Sequence, residues 1–142
     1  MSCIFCKIAS AEIPAKVIFE GESTIAFLDI KPINLGHTLV IPKSHYESLS
    51  EIPYELIGKM AEVGKKIAEA MKNTVALKCE GINFHLADGR AAGQEISHLH
   101  LHIIPRFAGD GFGLKIPPHY GQITEKEISF IHSKLISQLG EK

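Results

Sequence analysis

One stretch of the chain, His98-Leu99-His100-Leu101-His102-Ile103-Ile104-Pro105-Arg106, indicates both its fold and its chemistry. Side chains of a β-strand alternate between two faces, so the three histidines share one face and the aliphatic residues between them point into a core. We predict this histidine strand over residues 96–105. An ordinary half-buried strand has no need of three imidazoles on its outer face. Since imidazole acts as a base, nucleophile or metal ligand near neutral pH, the pattern indicates a functional site.

The loop before this strand, residues 88–94, has the sequence Asp-Gly-Arg-Ala-Ala-Gly-Gln. Its glycines allow backbone N–H groups to turn toward an anion. A row of imidazoles beside a potential phosphate-binding loop predicts attack on a phosphorus centre. A zinc site made of His98, His100 and His102 is a weaker interpretation, because three positions along one strand face span too far to surround a single ion.

The bulk properties of the chain are those of an ordinary globular protein. Its 142 residues predict a single domain over 1–142. The net charge of −1 gives no electrostatic reason to expect nucleic acid or a membrane surface as a partner. The sequence has three cysteines, no signal-peptide pattern and no apolar run of membrane-spanning length. We therefore expect a cytoplasmic location without a disulfide framework.

Hydrophobic periodicity predicts an α+β fold. Alternating or short apolar runs predict about five strands, over 16–20, 24–30, 37–41, 81–86 and 96–105. Two main helices are predicted, one over residues 53–72 and one that starts at Thr124, where Glu127 completes a capping box. The second helix carries an apolar stripe of Ile128, Ile131, Leu135 and Leu139. Short connections between the strands and segregated helices indicate an antiparallel sheet.

Three blocks of sequence, taken together, resemble the histidine triad (HIT) superfamily of nucleotidyl hydrolases and transferases. The first block is Ala92-Gly93-Gln94 followed by His98-x-His100-x-His102 and Ile104-Pro105-Arg106. The second is Phe27-Leu28-Asp29-Ile30 followed by Gly36-His37-Thr38-Leu39-Val40-Ile41-Pro42-Lys43, and the third is the opening Ile4-Phe5-Cys6-Lys7-Ile8. The resemblance covers nearly the whole chain. It implies a HIT-like fold and a Hint- or Fhit-like nucleotide hydrolase.

The resemblance assigns the nucleophile to the middle histidine, His100. An imidazole nitrogen would attack the α-phosphate, displace the leaving group and form a nucleotidyl-histidine, from which water releases a nucleoside monophosphate. The other ring nitrogen needs an acceptor, often a backbone carbonyl, that fixes the tautomer. His102 would donate to a phosphate oxygen, and His37 would approach the phosphate from the neighbouring strand, so that both stabilise the transition state.

The resemblance also implies substrate contacts: Asp29 to the ribose hydroxyls, the loop residues Gly93 and Gln94, and Phe19, Phe27 and Ile30 around the base. Asp29 could instead be a turn residue before Lys31-Pro32. Arg106 could bind a distal phosphate, because guanidinium suits bidentate phosphate contacts, or it could form a surface ion pair. Ala87 departs from the pattern, since relatives often carry Asn or Gln at this position, and alanine has no polar side-chain atom.

A structural zinc site is predicted at the start of the chain. Cys3-x-x-Cys6 has the spacing of the first ligand pair of a zinc knuckle. The resemblance implies that His45 and His98 complete a four-ligand site, which would leave no open coordination position. The alternative is a reduced dithiol without a metal.

The sequence leaves the substrate open among a nucleoside phosphoramidate, a dinucleoside polyphosphate and a related nucleotide conjugate. Residues 105–110 favour the polyphosphate branch of the superfamily, whereas residues 13–16 favour the phosphoramidase branch. Two other functions stay open: a nucleotidyl transferase with the same intermediate, and a nucleotide-binding or zinc-dependent interaction protein with little turnover. The resemblance also implies a homodimer, for which an amphipathic helix is a candidate surface.

Overall fold

The computed structural model describes residues 2–140, which form two compact units, residues 2–110 and 111–140. The first unit contains a five-stranded sheet and two helices, and the second contains one helix. The helices are α1 (Ile4–Ala9), α2 (Tyr54–Lys72) and α3 (Glu125–Leu139). The strands are β1 (Val17–Glu20), β2 (Thr24–Leu28), β3 (Thr38–Pro42), β4 (Gly81–Leu86) and β5 (Leu101–Arg106). A short 3₁₀ turn, Arg90–Ala92, lies between β4 and β5.

The sheet has the order β1-β2-β3-β5-β4, and each neighbouring pair is antiparallel. The predicted α+β class with an antiparallel sheet of five strands is therefore confirmed. Its central strands are β3 and β5, in which Val40 lies opposite Leu101 and Leu39 lies opposite His102. This pairing places the segment before β3 beside the histidines, so it defines where the site is built.

The two faces of the sheet have separate cores. On one face, Leu101 and Ile103 of β5 pack with Met60 and Val63 of α2. The helix approaches closely because Gly64 has no side chain: a Cβ there would lie 2.9 Å from Cδ1 of Ile103. The other face carries a smaller cluster that receives α1, made of Phe5, Ile25, Phe27, Leu39 and Ile41. The histidines lie on this second face, away from α2.

Two elements differ from the sequence prediction. β5 begins at Leu101, not at residue 96, so His98 and His100 precede the hydrogen-bonded strand. Residues 4–9 form a helix that the sequence did not predict, because six residues are too few for a recognisable helical period. α1 is held at its start by Cys3, whose sulfur accepts a hydrogen bond from the backbone N–H of Cys6.

The second unit is dominated by α3. The predicted capping box is present: Oγ1 of Thr124 accepts from the N–H of Glu127, and Oε1 of Glu127 accepts from the N–H of Thr124. All described residues of this unit are exposed, including the apolar stripe predicted from the sequence. Neither α3 nor any other helix within residues 2–140 combines the length and the apolar composition needed to cross a membrane.

Candidate active site and metal centre

The sequence suggested that the three histidines of residues 98–102 lie on an outer face. In the structure His98 and His100 are buried and His102 is half-buried. His98 is 0% exposed and His100 is 7% exposed, because α1 covers this face of the sheet. The alternation itself is correct, since Leu99, Leu101 and Ile103 all belong to the core on the α2 side. The site is therefore a partly enclosed row of imidazoles.

One ring nitrogen of His100 is held by a backbone hydrogen bond, which determines the protonation of the other nitrogen. Its Nδ1 lies 2.8 Å from the carbonyl oxygen of His98. A carbonyl can only accept, so Nδ1 carries the proton and Nε2 keeps its lone pair. Burial lowers the pKa of His100, an effect that the hydrogen bond to His98 partly offsets, so the ring is neutral near pH 7. These are the requirements for an imidazole nucleophile.

His102 and His37 form a hydrogen-bonded pair that is oriented by a backbone amide. The N–H of Ile33 donates to Nδ1 of His37 at 3.0 Å, and Nε2 of His37 lies 2.9 Å from Nδ1 of His102. Because a backbone N–H can only donate, neutral His37 carries its proton on Nε2 and donates it to His102. His102 then carries its own proton on Nε2. The pair thus leaves an N–H donor on Nε2 of His102, while both ring nitrogens of His37 are hydrogen-bonded within the protein.

Asp29 lies at the edge of this pair. Its Oδ1 accepts from the N–H of Lys31 at 2.9 Å, and its Oδ2 lies 3.7 Å from Nε2 of His37. Asp29 therefore forms a turn with Lys31 and also lies beside the His37–His102 pair.

The loop of residues 88–94 is built differently from the expected anion cradle. It forms a 3₁₀ turn in which the N–H of Gly93 donates to the carbonyl of Arg90, and the N–H of Gln94 donates to the carbonyl of Gly89. The side chain of Gln94 accepts from the N–H of Gly89 and donates to the carbonyls of Glu47 and Ile96. Gly93 and Gln94 therefore use these groups to hold the loop, not to face an anion.

The structure brings Phe27, but not Phe19, to the histidine face. Phe27 is buried in the cluster beside α1. Phe19 packs on the α2 side and lines an apolar cavity of about 570 Å³. The cause is a shift in the β1–β2 register between Val17 and Phe19, which pairs Phe19 with Ala26 and turns it to the opposite face. Ile30 is 88% exposed, next to Asp29.

Phe5 is a site residue that sequence reasoning missed. Its ring packs edge-to-face against His100, with centroids 5.1 Å apart, and against Phe27 at 5.6 Å. The available signal was its place between Cys3 and Cys6, since anything that fixes those cysteines near His98 also brings Phe5 to the histidines.

Arg106 is paired within the protein. Its Nε and Nη2 bind the two carboxylate oxygens of Asp110 at 2.6 and 2.7 Å, and its Nη1 donates to Oδ1 of Asn83 at 2.5 Å. Of the two interpretations of Arg106, the ion pair is present.

Ala87, where the family pattern has an amide, is buried and has no polar side-chain atom.

The four predicted metal ligands converge. The sulfur atoms of Cys3 and Cys6 and the Nδ1 atoms of His45 and His98 all lie within 4.8 Å of one another. Measured pairs are 3.4 Å from Cys3 to His98, 3.6 Å from Cys6 to His98 and 3.3 Å from Cys6 to His45. Such separations suit four ligands around a tetrahedral zinc ion, with bonds of about 2.0–2.3 Å.

The outer nitrogens of the two histidines support a metal at this cluster. Nε2 of His98 donates to the carbonyl of Pro42 at 2.9 Å, which leaves the Nδ1 lone pair for a cation. Nε2 of His45 lies 3.3 Å from a carboxylate oxygen of Glu47. Carbonyl and carboxylate partners of this kind orient metal-ligating histidines. Burial and the neighbouring Cys3 raise the pKa of Cys6, so a nearby positive charge is needed to hold the sulfur of Cys6 as a thiolate.

A second group of potential ligands, Asp29, His37 and His102, also lies within 4.8 Å. It does not fit a metal in the same way. Nε2 of His37 carries the proton that it donates to His102, because its Nδ1 already accepts from Ile33. A metal there would require the opposite tautomer of His37.

Comparisons with known proteins identify the family of this chain. The HIT domain profile matches residues 10–109. A HIT-like protein of Methanocaldococcus jannaschii, named as uncharacterized, is 51% identical over 126 residues, which cover 89% of this chain and 92% of that protein. The adenosine 5′-monophosphoramidase of Saccharomyces cerevisiae is 34% identical over 138 residues, which cover 97% of this chain and 83% of the enzyme.

One of the similar solved structures contains zinc. A zinc-bound histidine triad family protein from Mycobacterium smegmatis aligns with a TM-score of 0.76 and 39% identity, covering 94% of this chain and 98% of that one. With its fold, its histidine row and these matches, the chain belongs to the HIT family.

The lowered pKa of His102 predicts how the stability of the protein depends on pH. Burial, followed by the neighbouring charges of His100, His37 and His85, lowers this pKa to about 4, and only Asp29 opposes the shift. The unfolded chain binds this proton near pH 6.5, but the folded protein excludes it until about pH 4. The contribution to stability is therefore fully present above pH 6.5 and is lost as the pH falls from 6.5 toward 4.

We expect chemical denaturation between pH 7.5 and 4.5 to show this loss. Since His102→Gln removes the titrating group, the variant should lose less stability over that range than the wild type does. The difference is limited to about 1.4 kcal/mol per pH unit. The exposed His119→Gln should follow the wild-type curve. Identical curves for His102→Gln and wild type would contradict the assigned pKa.

Proposed function

We propose that this protein is a nucleotidyl hydrolase that acts at the α-phosphate of a nucleotide conjugate through a covalent intermediate on His100. The observation that carries the proposal is the hydrogen bond from Nδ1 of His100 to the carbonyl of His98, which keeps the Nε2 lone pair available. Beside it, the His37–His102 pair supplies a neutral N–H donor for charge on the phosphate oxygens.

The reaction proceeds in two displacements. Nε2 of His100 bonds to the α-phosphorus while the bond to the leaving group breaks, and the leaving group departs with that electron pair and takes up a proton from solvent. Water then bonds to phosphorus and gives up a proton to solvent, the P–Nε2 bond breaks with its electron pair returning to Nε2, and the nucleoside monophosphate is released with His100 restored. His102 donates to the phosphate, Asp29 binds the ribose, and Phe27 and Ile30 lie by the base.

Among the substrates left open by the sequence, we favour a nucleoside phosphoramidate. The guanidinium of Arg106, the candidate for a distal phosphate of a polyphosphate substrate, is occupied by Asp110 and Asn83. A 34% identical relative bears the name of an adenosine 5′-monophosphoramidase. Ala87 provides no amide for the leaving group, which points to a slow enzyme.

A cytoplasmic location stays a prediction from the sequence.

The catalytic prediction concerns AMP release from adenosine phosphoramidate and from diadenosine tetraphosphate. Because His100→Ala removes the nucleophile, we expect turnover to fall at least about 10³-fold while AMP binding and folding persist. His119→Ala, which changes a histidine of the second unit, should retain wild-type turnover. A mass increase of one AMP on a peptide containing His100 after rapid quenching would identify the intermediate.

The outcomes separate the alternatives. Wild-type protein that binds AMP but turns over neither substrate would overturn the hydrolase proposal in favour of a binding protein. AMP transferred to an added acceptor in preference to water would identify a nucleotidyl transferase. A higher kcat/KM for diadenosine tetraphosphate would contradict the phosphoramidate preference alone.

We also propose that Cys3, Cys6, His45 and His98 bind a structural zinc ion. The support is the convergence of four suitable ligand atoms, the outer partners of both histidines, and the zinc-bound relative. Four protein ligands leave no open position, so zinc would cross-link α1 to the segment before β5 and would take no part in the reaction.

The zinc prediction uses metal analysis of purified protein. We expect about one zinc per chain, lost in the double variant Cys3→Ser, Cys6→Ser, with a Tm lower by at least about 5 °C, because metal binding contributes to folding stability. Cys79→Ser removes the other cysteine and should keep the metal. Full zinc content in the double variant, or none in the wild type after zinc supplementation, would rule out the site.

A homodimer is the third proposal. Its support is the exposed apolar stripe of α3, where Leu135 is 55% exposed and Leu139 is 77% exposed. An isolated helix of 15 residues is marginal in water, and packing of its apolar face against a second copy would stabilise it.

Light scattering tests the dimer. We expect wild-type protein at twice the mass of the chain and Leu135→Glu at the monomer mass, because a carboxylate would interrupt the apolar contact. Ser133→Glu introduces the same charge outside the stripe and should leave the dimer intact. A monomeric wild type, or a dimeric Leu135→Glu, would contradict the use of this surface.

A further inference from the structure

The loop between β2 and β3 supplies a group on which the proposed catalysis depends. The N–H of Ile33 is the donor that fixes the tautomer of His37, and through it the tautomer of His102. Ile33 lies in an irregular segment, so no strand or helix holds this amide in place. Something else must hold it, because a displacement of about 1 Å weakens a hydrogen bond severely.

The side chain of Asn34 ties this loop to the strand that carries His102. Its Nδ2 donates to the carbonyl of Pro105 at 2.8 Å and to Oδ2 of Asp110 at 2.8 Å. Its backbone carbonyl accepts from the N–H of His37 at 3.0 Å. Asn34, the neighbour of Ile33, is thus bonded both to His37 and to the end of β5.

Asp110 is a rigid anchor for Asn34. The side chain of Asp110 is 2% exposed, and its two oxygens accept from Nε and Nη2 of Arg106. The N–H of Phe107 donates to the same carboxylate at 3.3 Å. A buried carboxylate is stable only when it is paired and hydrogen-bonded, and the guanidinium meets this need. The ion pair therefore sets the position of the oxygen that holds Asn34.

We propose that Asn34 and Asp110 are positioning residues that keep the Ile33 amide on His37 and thereby determine which nitrogen of His102 presents a proton to the substrate. This inference rests on the proposed function, since the donor matters only if His102 assists phosphorus chemistry. It also assigns Arg106 to this anchor instead of to a phosphate.

The consequence of losing the anchor follows from the two possible proton arrangements of the pair. With Ile33 in place, His37 donates from Nε2 and His102 keeps its proton on Nε2. Without it, Nδ1 of His37 can take a proton, Nε2 becomes an acceptor, and Nδ1 of His102 donates instead. Nε2 of His102 then carries a lone pair, which repels a phosphate oxygen. The nucleophile His100 is unaffected, because its tautomer depends on the carbonyl of His98.

The test compares three variants: Asn34→Ala, Asp110→Asn and, as the matched control, Asn83→Ala. The control removes the partner of Nη1 of Arg106 but leaves Asn34 and Asp110 intact. Kinetics with adenosine phosphoramidate are combined with long-range ¹H–¹⁵N correlation spectra, which distinguish Nδ1–H from Nε2–H tautomers of each histidine.

We expect kcat of Asn34→Ala and Asp110→Asn to fall about 10–100-fold with KM changed less than about 3-fold, because the lost hydrogen bond acts through a neighbour of the reacting group. In both variants the spectra should show His102 shifting from the Nε2–H form toward a mixture, while His100 stays Nδ1–H. Asn83→Ala should match the wild type in rate and in tautomers.

Several results would overturn the inference: wild-type tautomers in Asn34→Ala, an equal loss of kcat in Asn83→Ala, or a rise in KM without a fall in kcat. If Asp110→Asn does not fold, as judged by thermal unfolding, Asn34→Ala decides alone. If the wild type has no turnover, the proposed function fails, but the tautomers of His37 and His102 still test the anchor.

Discussion

The site depends on three backbone groups that can play only one hydrogen-bonding role each. The carbonyls of Pro42 and His98 accept from Nε2 of His98 and Nδ1 of His100, and the amide of Ile33 donates to His37. Each one decides which nitrogen of an imidazole has the lone pair. Because all three belong to β3, to β5 or to the segments directly before them, antiparallel pairing of these two strands brings together His98, His100 and the hydrogen-bonded His37–His102 pair.

His98 connects the cysteine–histidine cluster to His100, the proposed nucleophile. The side chain of His98 belongs to the cluster, and its carbonyl holds His100. Phe5 makes a second connection, since it lies between the two cysteines and packs against both His98 and His100. A movement of α1 would therefore displace a ring that packs against the His100 imidazole. A cross-link at the cluster would restrict that movement without contacting the substrate.

The sequence predicted the parts of the fold that depend on periodic patterns. Five strands, α2 and the capping box of α3 follow from alternation, helical spacing and a short-range cap. The face of the sheet on which Phe19 lies could not be predicted in this way. A single bulge in β1 reverses that face, and no residue type in the strand indicates the bulge. Gln94 was assigned to the substrate by resemblance, yet its side chain bonds to the carbonyl of Glu47, which only the folded chain brings close. For Arg106 the sequence left open a distal phosphate or an ion pair, and only the folded chain identifies Asp110 as its partner.

The separation of Cys3 from His98 by 95 positions has a consequence for synthesis. At a translation rate of roughly 5–20 residues per second, the two N-terminal thiols leave the ribosome about 5–20 s before the imidazole that they meet in the finished protein. During that interval β1, β2 and β3 can already pair with one another, but α1 has no histidine row to cover. The segment that carries Cys3 and Cys6 is thus made well before its partner, and it can take its final place only after residue 98 has been synthesised.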